Sequence, residues 1–349
     1  MIVDDSMVAR AVLSRIIETD HDFEIAAVAG TAEDAIDALH AVRVDIILLD
    51  LEMPGAGGLN SIPAILKAAR GARVMILSSL AEEGAEETVA ALAMGAVDTM
   101  PKPGTGRFNG RFSEILLARL RAIGHAEAAP VEPVAPREAP PCRIDAPLRA
   151  MPSDPIELLA IGASTGGIHA LGSFFQALPR RIGVPILVTQ HLPAPFMPVF
   201  ARQLAIAAGR EAVVAEDGMP LIADRILIAP GDAHLTVELV GERAVVRLVR
   251  ERARSGCMPS VDPMFASIGA AYGRAAAGVV LTGMGRDGVE GAARLVACGG
   301  SILAQDEASC AVWGMPRAVI EAGLSSGVLA PEKIARRISS RTDEQSECK

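Results

Sequence analysis

The sequence DIILLD, residues 45–50, decides the fold of the first third of the chain. A short apolar run that ends at an aspartate predicts a strand, and similar runs recur on both sides of it. Helical patterns separate them, so the alternation predicts a parallel sheet in a flavodoxin-like, doubly wound α/β domain. Strands are predicted at residues 2–3, 24–28, 45–49, 73–77 and 97–100, with helices that include residues 7–19, 32–41 and 82–94.

A second α/β domain is predicted after a proline-rich stretch. Residues 124–154 contain seven prolines, which exclude regular helices and central strands and indicate a linker of polyproline type. We therefore expect domains at residues 1–123 and 155–342, with a polar tail at 343–349. Strands are predicted at residues 156–161, 184–189, 225–229, 278–281 and 301–304, and helices at 167–177, 197–208, 259–272 and 288–297. Residues 234–240 and 244–250 flank a short connection with a glycine, which predicts a β-hairpin added to the parallel sheet.

The composition excludes several classes of protein. The 349 residues carry a net charge of −9 with 3% aromatic residues, so the basic surface of a nucleic-acid-binding protein is lacking. No apolar run reaches the roughly 18 residues that span a bilayer, and the N-terminus does not resemble a signal peptide. Five widely spaced cysteines without a Cys-x-x-Cys pair argue against disulfides and zinc sites. We therefore expect a cytoplasmic protein without nucleic-acid partners or membrane insertion.

Carboxylates follow two strands of the first domain. Asp4 and Asp5 come after the first strand, and Asp50 ends the third. Because the carboxyl ends of parallel strands meet at one edge, these oxygens are expected to converge and to suit Mg²⁺. Ser78 and Lys102 follow the fourth and fifth strands, where each could hold a phosphoryl oxygen. Taken singly, the aspartates could equally be helix caps or turn residues.

A candidate nucleophile follows the first strand of the second domain. The sequence GASTGG, residues 162–167, contains Gly-x-Ser-x-Gly, which is typical of a sharp strand-to-helix turn that exposes a serine hydroxyl, here Ser164. His191 and Asp287 follow later strands and could serve as its base and as the group that orients the base. A tight structural turn or a phosphate-binding loop is the alternative. Weaker candidates for catalytic groups are His169, His234, Cys257, Asp262, Asp306 and Cys310.

Residues 1–123 resemble a response-regulator receiver domain. The residues that carry the resemblance are Asp4, Asp5, Asp50, Ser78 and Lys102-Pro103. The resemblance implies that Asp50 accepts phosphate from a histidine kinase, with Mg²⁺ held by Asp5 and Asp50 beside Asp4. Two features depart from the family pattern. Only three residues precede Asp4, and Thr99 occupies the position of an aromatic switch residue, so the first strand and the switch are both in question.

The whole chain resembles the chemotaxis response-regulator methylesterase family. The segments that carry the resemblance are GASTGG, Gln190-His191, IAPGDAH, PSVDPMF, LTGMGRDG, QDEASC and Gly314-Met315-Pro316. Members are protein-glutamate methylesterases and protein-glutamine glutaminases that act on chemoreceptor cytoplasmic domains under control of a chemotaxis histidine kinase.

The motifs carry roles onto particular residues. The resemblance implies Ser164 as nucleophile, His191 as base, Asp287 as its orienting group, and an oxyanion held by the Met284 N–H and a group near Thr165. It implies no cofactor for the hydrolase, and a receiver that covers the catalytic cleft until it is phosphorylated. A non-enzymatic phospho-switch and an esterase with another substrate remain alternatives, whereas a DNA-binding output is poorly supported.

Overall fold

The computed structural model describes residues 1–53, 57–78, 82–102, 110–124, 147–241 and 243–342. Its internal contacts divide the chain into two compact units, Met1–Glu138 and Ala139–Lys349. Most of the predicted linker, namely residues 125–146, and the predicted tail at residues 343–349 lie outside the described residues, as do Pro103 and Glu242. Within the described residues, no helix is long and apolar enough to cross a membrane.

The first unit is a parallel sheet flanked by helices, which confirms the predicted α/β class. The strand order β2-β1-β3-β4-β5 is that of a flavodoxin-like fold. Its strands are β1 (Ile2–Val3), β2 (Val28–Ala29), β3 (Ile46–Asp50), β4 (Arg73–Ser78) and β5 (Asp98–Pro101). Its helices are α1 (Met7–Ile17), α2 (Ala32–Ala41), α3 (Gly58–Ala68), α4 (Glu82–Met94) and α5 (Gly110–Gly124).

The strand predicted at residues 24–28 is wrong in most of its length. Strand β1 has two residues, which pair with Val28 and Ala29 on β2, and the Ile2 N–H also donates to the Ala27 carbonyl. In the part of the chain that the structure describes, residues 24–26 therefore have no strand beside them. A cleft of about 600 Å³ lies there, lined in part by residues 22–26 and 43–46. The Met1 ammonium donates a hydrogen bond to the Ile46 carbonyl at 2.8 Å, and burial lowers its pKa to about 6.

The second unit contains a parallel sheet of seven described strands in the order β14-β13-β12-β6-β7-β9-β8. The parallel strands are β6 (Leu158–Ala163), β7 (Ile186–Gln190), β8 (Ala212–Val214), β9 (Ile226–Ile228), β12 (Ala276–Val280), β13 (Ser301–Gln305) and β14 (Gly327–Leu329). The helices are α6 (Gly167–Ala177), α7 (Met197–Ala208), α8 (Val261–Tyr272), α9 (Val289–Ala297), α10 (Met315–Glu321) and α11 (Pro331–Ser339). The chain order reverses between β6 and β12, and such switch points open a crevice at the carboxyl ends of the strands.

The predicted hairpin exists, but its position in the fold was wrong. Strands β10 (His234–Val240) and β11 (Arg243–Val249) pair with each other as a separate two-stranded sheet. Buried Leu235, Val237 and Val246 join α8 in the apolar core of the unit. The hairpin therefore packs over a helix and does not extend the parallel sheet. The connection is also shorter than expected, because Arg243 pairs with Val240.

Candidate functional site

The turn after β6 presents Ser164 at the carboxyl end of the sheet. The Ser164 N–H donates to the Thr282 carbonyl at 3.0 Å, and the Ser164 carbonyl accepts from the Gly167 N–H at 2.7 Å. Buried Gln190 adds a third bond, from its Nε2 to the same carbonyl at 2.9 Å. Gly166 has a φ of 76°, and a Cβ there would lie 2.3 Å from the Ala311 Cβ, so the turn requires glycine at this position. The backbone at the serine is thus fixed while its hydroxyl stays free to react.

The structure brings Ser164, His191 and Asp287 together at the ends of three adjacent strands. His191 follows β7, and its Nδ1 lies 3.1 Å from the Ser164 Oγ. Its Nε2 lies 2.8 Å from the Asp287 Oδ2. An acceptor carboxylate at Nε2 favours a ring proton on that nitrogen, which leaves Nδ1 as the acceptor for the serine proton. The nitrogen adjacent to the serine is therefore the one nearer the main chain.

Asp287 is held by two groups that the sequence did not single out. The Ser260 hydroxyl donates to its Oδ1 at 2.6 Å, and the Val261 N–H donates to its Oδ2 at 2.7 Å. Burial alone would raise the pKa of Asp287, but hydrogen bonding and charge interaction with His191, together with the bonds from Ser260 and Val261, lower it below its usual range. The carboxylate is therefore ionised and oriented toward the imidazole.

His234 holds the backbone of Ser260, which in turn binds Asp287, and is not a catalytic base. It is 1% exposed, and its Nδ1 accepts from the Ser260 N–H at 2.9 Å. Its Nε2 consequently carries the ring proton and donates to the Glu251 carbonyl at 2.8 Å. This pair of bonds ties the start of the hairpin to the loop that positions Asp287.

The remaining sequence candidates lie in structural positions. Asp262 accepts from the Gly291 N–H at 2.8 Å, and burial followed by the charge of Asp287 raises its pKa to about 6. Asp306 accepts bonds from the backbone and hydroxyl of Ser309. His169 is exposed on α6, and Cys310 is buried. Among the described residues, none of these side chains hydrogen-bonds to the His191 ring.

The first unit gathers its predicted groups at the matching edge of its own sheet. Ligand oxygens of Asp4, Asp5 and Asp50 all lie within 4.8 Å of one another. The Lys102 Nζ lies 2.8 Å from the Asp4 Oδ2 and 2.5 Å from the Asp50 Oδ2. Burial raises the pKa of Asp50 above its ordinary value despite the hydrogen bond and charge of Lys102. The Ser78 Oγ is buried and has no partner among the described residues.

Comparison with known proteins decides the family. A model described as CheB methylesterase matches residues 159–338, and one described as response regulator receiver domain matches residues 1–107. The chain belongs to the CheB methylesterase family. This confirms the resemblance found in the sequence.

Relatives of similar length carry one name. The protein-glutamate methylesterase/protein-glutamine glutaminase 1 of Paramagnetospirillum magneticum is 38% identical, and the alignment covers 96% of this chain and 93% of the relative. The corresponding protein 2 of Caulobacter vibrioides is 40% identical with 98% of both chains covered. The crystal structure of the Thermotoga maritima CheB methylesterase catalytic domain is 33% identical, covers 53% of this chain and 98% of its own, and gives a TM-score of 0.52.

A loop after β12 completes the cleft of this CheB-family domain. Buried Thr282 donates from its Oγ1 to the Thr165 carbonyl at 2.9 Å, and its N–H donates to the Gln305 Oε1 at 2.7 Å. The next residue, Gly283, bridges to Trp313 in parallel pairing. Met284 follows with 39% of its surface exposed, and no described residue accepts a hydrogen bond from its N–H. The bonds of Thr282 thus hold this loop against the serine turn, and Met284 follows two residues later.

A single methyl group added at residue 283 is expected to have a strong effect. A Cβ at this residue would lie 2.7 Å from the Ser164 Cβ and 2.5 Å from the Sδ of fully buried Met315. We expect Gly283→Ala to displace the serine turn, to cost about 1–3 kcal/mol in the free energy of unfolding, and to lower the hydrolysis rate. Denaturant unfolding and hydrolysis assays check this. Gly172→Ala is the matched control, since open space surrounds that position on α6, and it should not destabilise the domain.

Cys257, one of the weaker candidates in the sequence, lies beside His191 and Asp287, a position that the sequence did not indicate. It is half-buried, and its Sγ, a ring nitrogen of His191 and a carboxylate oxygen of Asp287 all lie within 4.8 Å of one another. Burial and then the charge of Asp287 raise the pKa of the thiol to about 11. The thiol is therefore protonated at neutral pH and is no rival nucleophile to Ser164.

Proposed function

We propose that the chain is a protein-glutamate methylesterase and protein-glutamine glutaminase whose activity is controlled by phosphorylation of Asp50. The observation that carries the hydrolase is the continuous chain of hydrogen bonds from the Ser164 Oγ through both His191 nitrogens to Asp287. The names of the relatives supply the substrate class. The family resemblance set out in the sequence analysis points to chemoreceptor cytoplasmic domains as the proteins that carry these side chains.

The proposed reaction begins with proton transfer from Ser164 to the His191 Nδ1. The serine oxygen attacks the γ-carbonyl of a methylated glutamate, while Asp287 stabilises the positive charge that develops on the ring. In this proposal the Met284 N–H and a group near Thr165 donate to the oxyanion of the tetrahedral intermediate. His191 returns the proton to the methoxide, methanol leaves, and water hydrolyses the glutamyl-serine ester. With glutamine as substrate, ammonia leaves in place of methanol.

The acidic cluster of the first unit fits a magnesium ion. Its three converging carboxylates are hard oxygen ligands, which Mg²⁺ prefers. Asp5 and Asp50 would hold the ion, with Asp4 beside them, and the bound ion would offset negative charge when Asp50 is phosphorylated. The Ser78 hydroxyl, which has no partner among the described residues, and the Lys102 ammonium would bind phosphoryl oxygens. A histidine kinase of a chemotaxis-type system is the proposed phosphodonor.

Asp50→Asn is expected to separate hydrolysis from its control. The amide has the size of the carboxylate but cannot accept a phosphoryl group, so the variant should remain a hydrolase that no longer responds to acetyl phosphate. Methanol release with and without acetyl phosphate measures this. Asp37→Asn, at an exposed position on α2, is the matched control and should respond like the wild type. A preserved response in Asp50→Asn would place the phosphate at another residue.

Methanol release from methylated chemoreceptor membranes tests the whole proposal. We expect release that rises when acetyl phosphate and Mg²⁺ are added. Labelling of Ser164 by a fluorophosphonate without any methanol would indicate the proposed catalytic residues with a different substrate. Absence of both signals would contradict the hydrolase and favour a non-enzymatic phospho-switch.

A further inference from the structure

The side chains around the catalytic histidine also form a set of metal ligands. The proposed mechanism uses His191 and Asp287 but gives no role to Cys257, whose sulfur lies within 4.8 Å of ligand atoms on both. Imidazole, thiolate and carboxylate are the three side-chain ligands that zinc takes in proteins. Three different ligand types from three separate loops therefore converge on one point.

The geometry selects the Nε2 atom of His191 as the nitrogen ligand. This atom lies 2.8 Å from the Asp287 Oδ2, whereas Nδ1 faces the Ser164 Oγ at 3.1 Å. Neighbouring ligands of a tetrahedral zinc ion lie roughly 3.3–3.8 Å apart, given metal–ligand bonds of about 2.0–2.3 Å. The 2.8 Å between Nε2 and Oδ2 is shorter than this, so the two side chains must move apart by roughly 0.5–1 Å to admit an ion, and the Cys257 Sγ lies within 4.8 Å of both residues.

Solvent can reach the cluster. The His191 side chain is 16% exposed and Cys257 is half-buried, whereas Asp287 lies at the bottom of the site. Three protein ligands leave a fourth coordination position for water, as in open zinc sites. A thiolate ligand favours zinc or cadmium over the hard ions that carboxylates alone would attract.

We propose that His191, Cys257 and Asp287 bind a zinc-type divalent ion and that this binding switches the hydrolase off. The ion takes the Nε2 position, so the single proton of the neutral ring moves to Nδ1. A protonated Nδ1 donates toward Ser164 and can no longer accept its proton. The Cys257 thiol loses its proton to solvent, so one proton is released for each ion bound. The inhibitory half of this proposal rests on the proposed hydrolase function, whereas the metal site does not.

Cobalt binding to the full chain tests the site directly. Co²⁺ takes the same ligands as zinc, and a thiolate ligand gives it a charge-transfer absorption band in the near ultraviolet. The carboxylates of the first unit supply only oxygen ligands, so cobalt bound there does not produce this band. We expect the band in the wild type and in Cys298→Ser, whose thiol is exposed on the end of α9, but not in Cys257→Ser. A wild type without the band, or an equal band in Cys257→Ser, would overturn the site.

Zinc titration of the hydrolysis rate tests the switch. Each form is compared with its own metal-free rate, so that any effect of the substitution itself cancels. We expect the half-inhibitory zinc concentration to rise by at least about tenfold in Cys257→Ser and to stay unchanged in Cys298→Ser. Equal inhibition of both variants would overturn the proposed switch. A Cys257-dependent cobalt band in a protein without methylesterase activity would support the metal site and contradict the proposed function instead.

Discussion

Replacing Ser164 with alanine is expected to lower methanol release from methylated chemoreceptors by about 10⁴–10⁶-fold. In the proposed mechanism the hydroxyl forms the covalent intermediate, and its contact with the His191 Nδ1 is the only side-chain hydrogen bond that the described structure gives it. The backbone bonds of Ser164 to Thr282, Gly167 and Gln190 do not depend on the side chain. The loss should therefore appear in the rate and not in the stability.

The controls for Ser164→Ala follow from the expectation that the rate falls while the stability is unchanged. Its thermal unfolding and its phosphorylation at Asp50 should match those of the wild type. Ser173 is a partly exposed serine on the following helix, so Ser173→Ala also removes a serine hydroxyl but leaves the candidate site unchanged. A Ser164→Ala protein that still releases methanol at a rate near that of the wild type would show that another group is the nucleophile.

Asp287→Asn is expected to lower the rate by about 10⁴-fold. The carboxylate accepts from His191, from the Ser260 hydroxyl and from the Val261 N–H, so these three partners are all hydrogen-bond donors. An amide has one acceptor oxygen and one NH₂ group, which must face at least one of these donors. The His191 ring then loses both its orientation and the negative charge that stabilises it during the reaction.

A neighbouring carboxylate provides the matched control for this change. Asp262 contacts Asp287, but its carboxylate accepts from the Gly291 N–H and makes no bond to His191. Asp262→Asn should therefore have a much smaller effect on hydrolysis than Asp287→Asn. Steady-state rates and unfolding curves of both variants measure this. Equal losses of activity in the two variants would contradict the assigned role of Asp287.

The convergence of the three proposed catalytic side chains could be predicted because it follows from strand topology. Ser164, His191 and Asp287 each come after a buried apolar strand, and the ends of parallel strands meet at one edge of the sheet. The choice of ring nitrogen could not be predicted, since it depends on the rotation of the imidazole. The bond from Ser260 to Asp287 and the place of Cys257 beside His191 were also missed, because both residues belong to an irregular loop whose course depends on tertiary contacts rather than on sequence periodicity.

Short strands were the weakest part of the sequence prediction. β8 and β14 have three residues each and were not anticipated, and β2 was placed too early. A strand of this length exists only where a neighbour offers hydrogen bonds, and that neighbour is often remote in sequence. Residues 24–28 illustrate the point. Their apolar pattern is typical of a strand, but the neighbouring strand β1 pairs only with Val28 and Ala29.

The bridge between Gly283 and Trp313 gives the molecule a natural optical probe. Trp313 is the only tryptophan of the chain. Selective excitation of tryptophan therefore gives fluorescence from a single position, which is paired with Gly283 beside the serine turn. The first unit contributes nothing to that signal. Unfolding of the second unit, or occupation of its cleft, can therefore be followed by tryptophan emission in the unlabelled chain, without a contribution from the first unit.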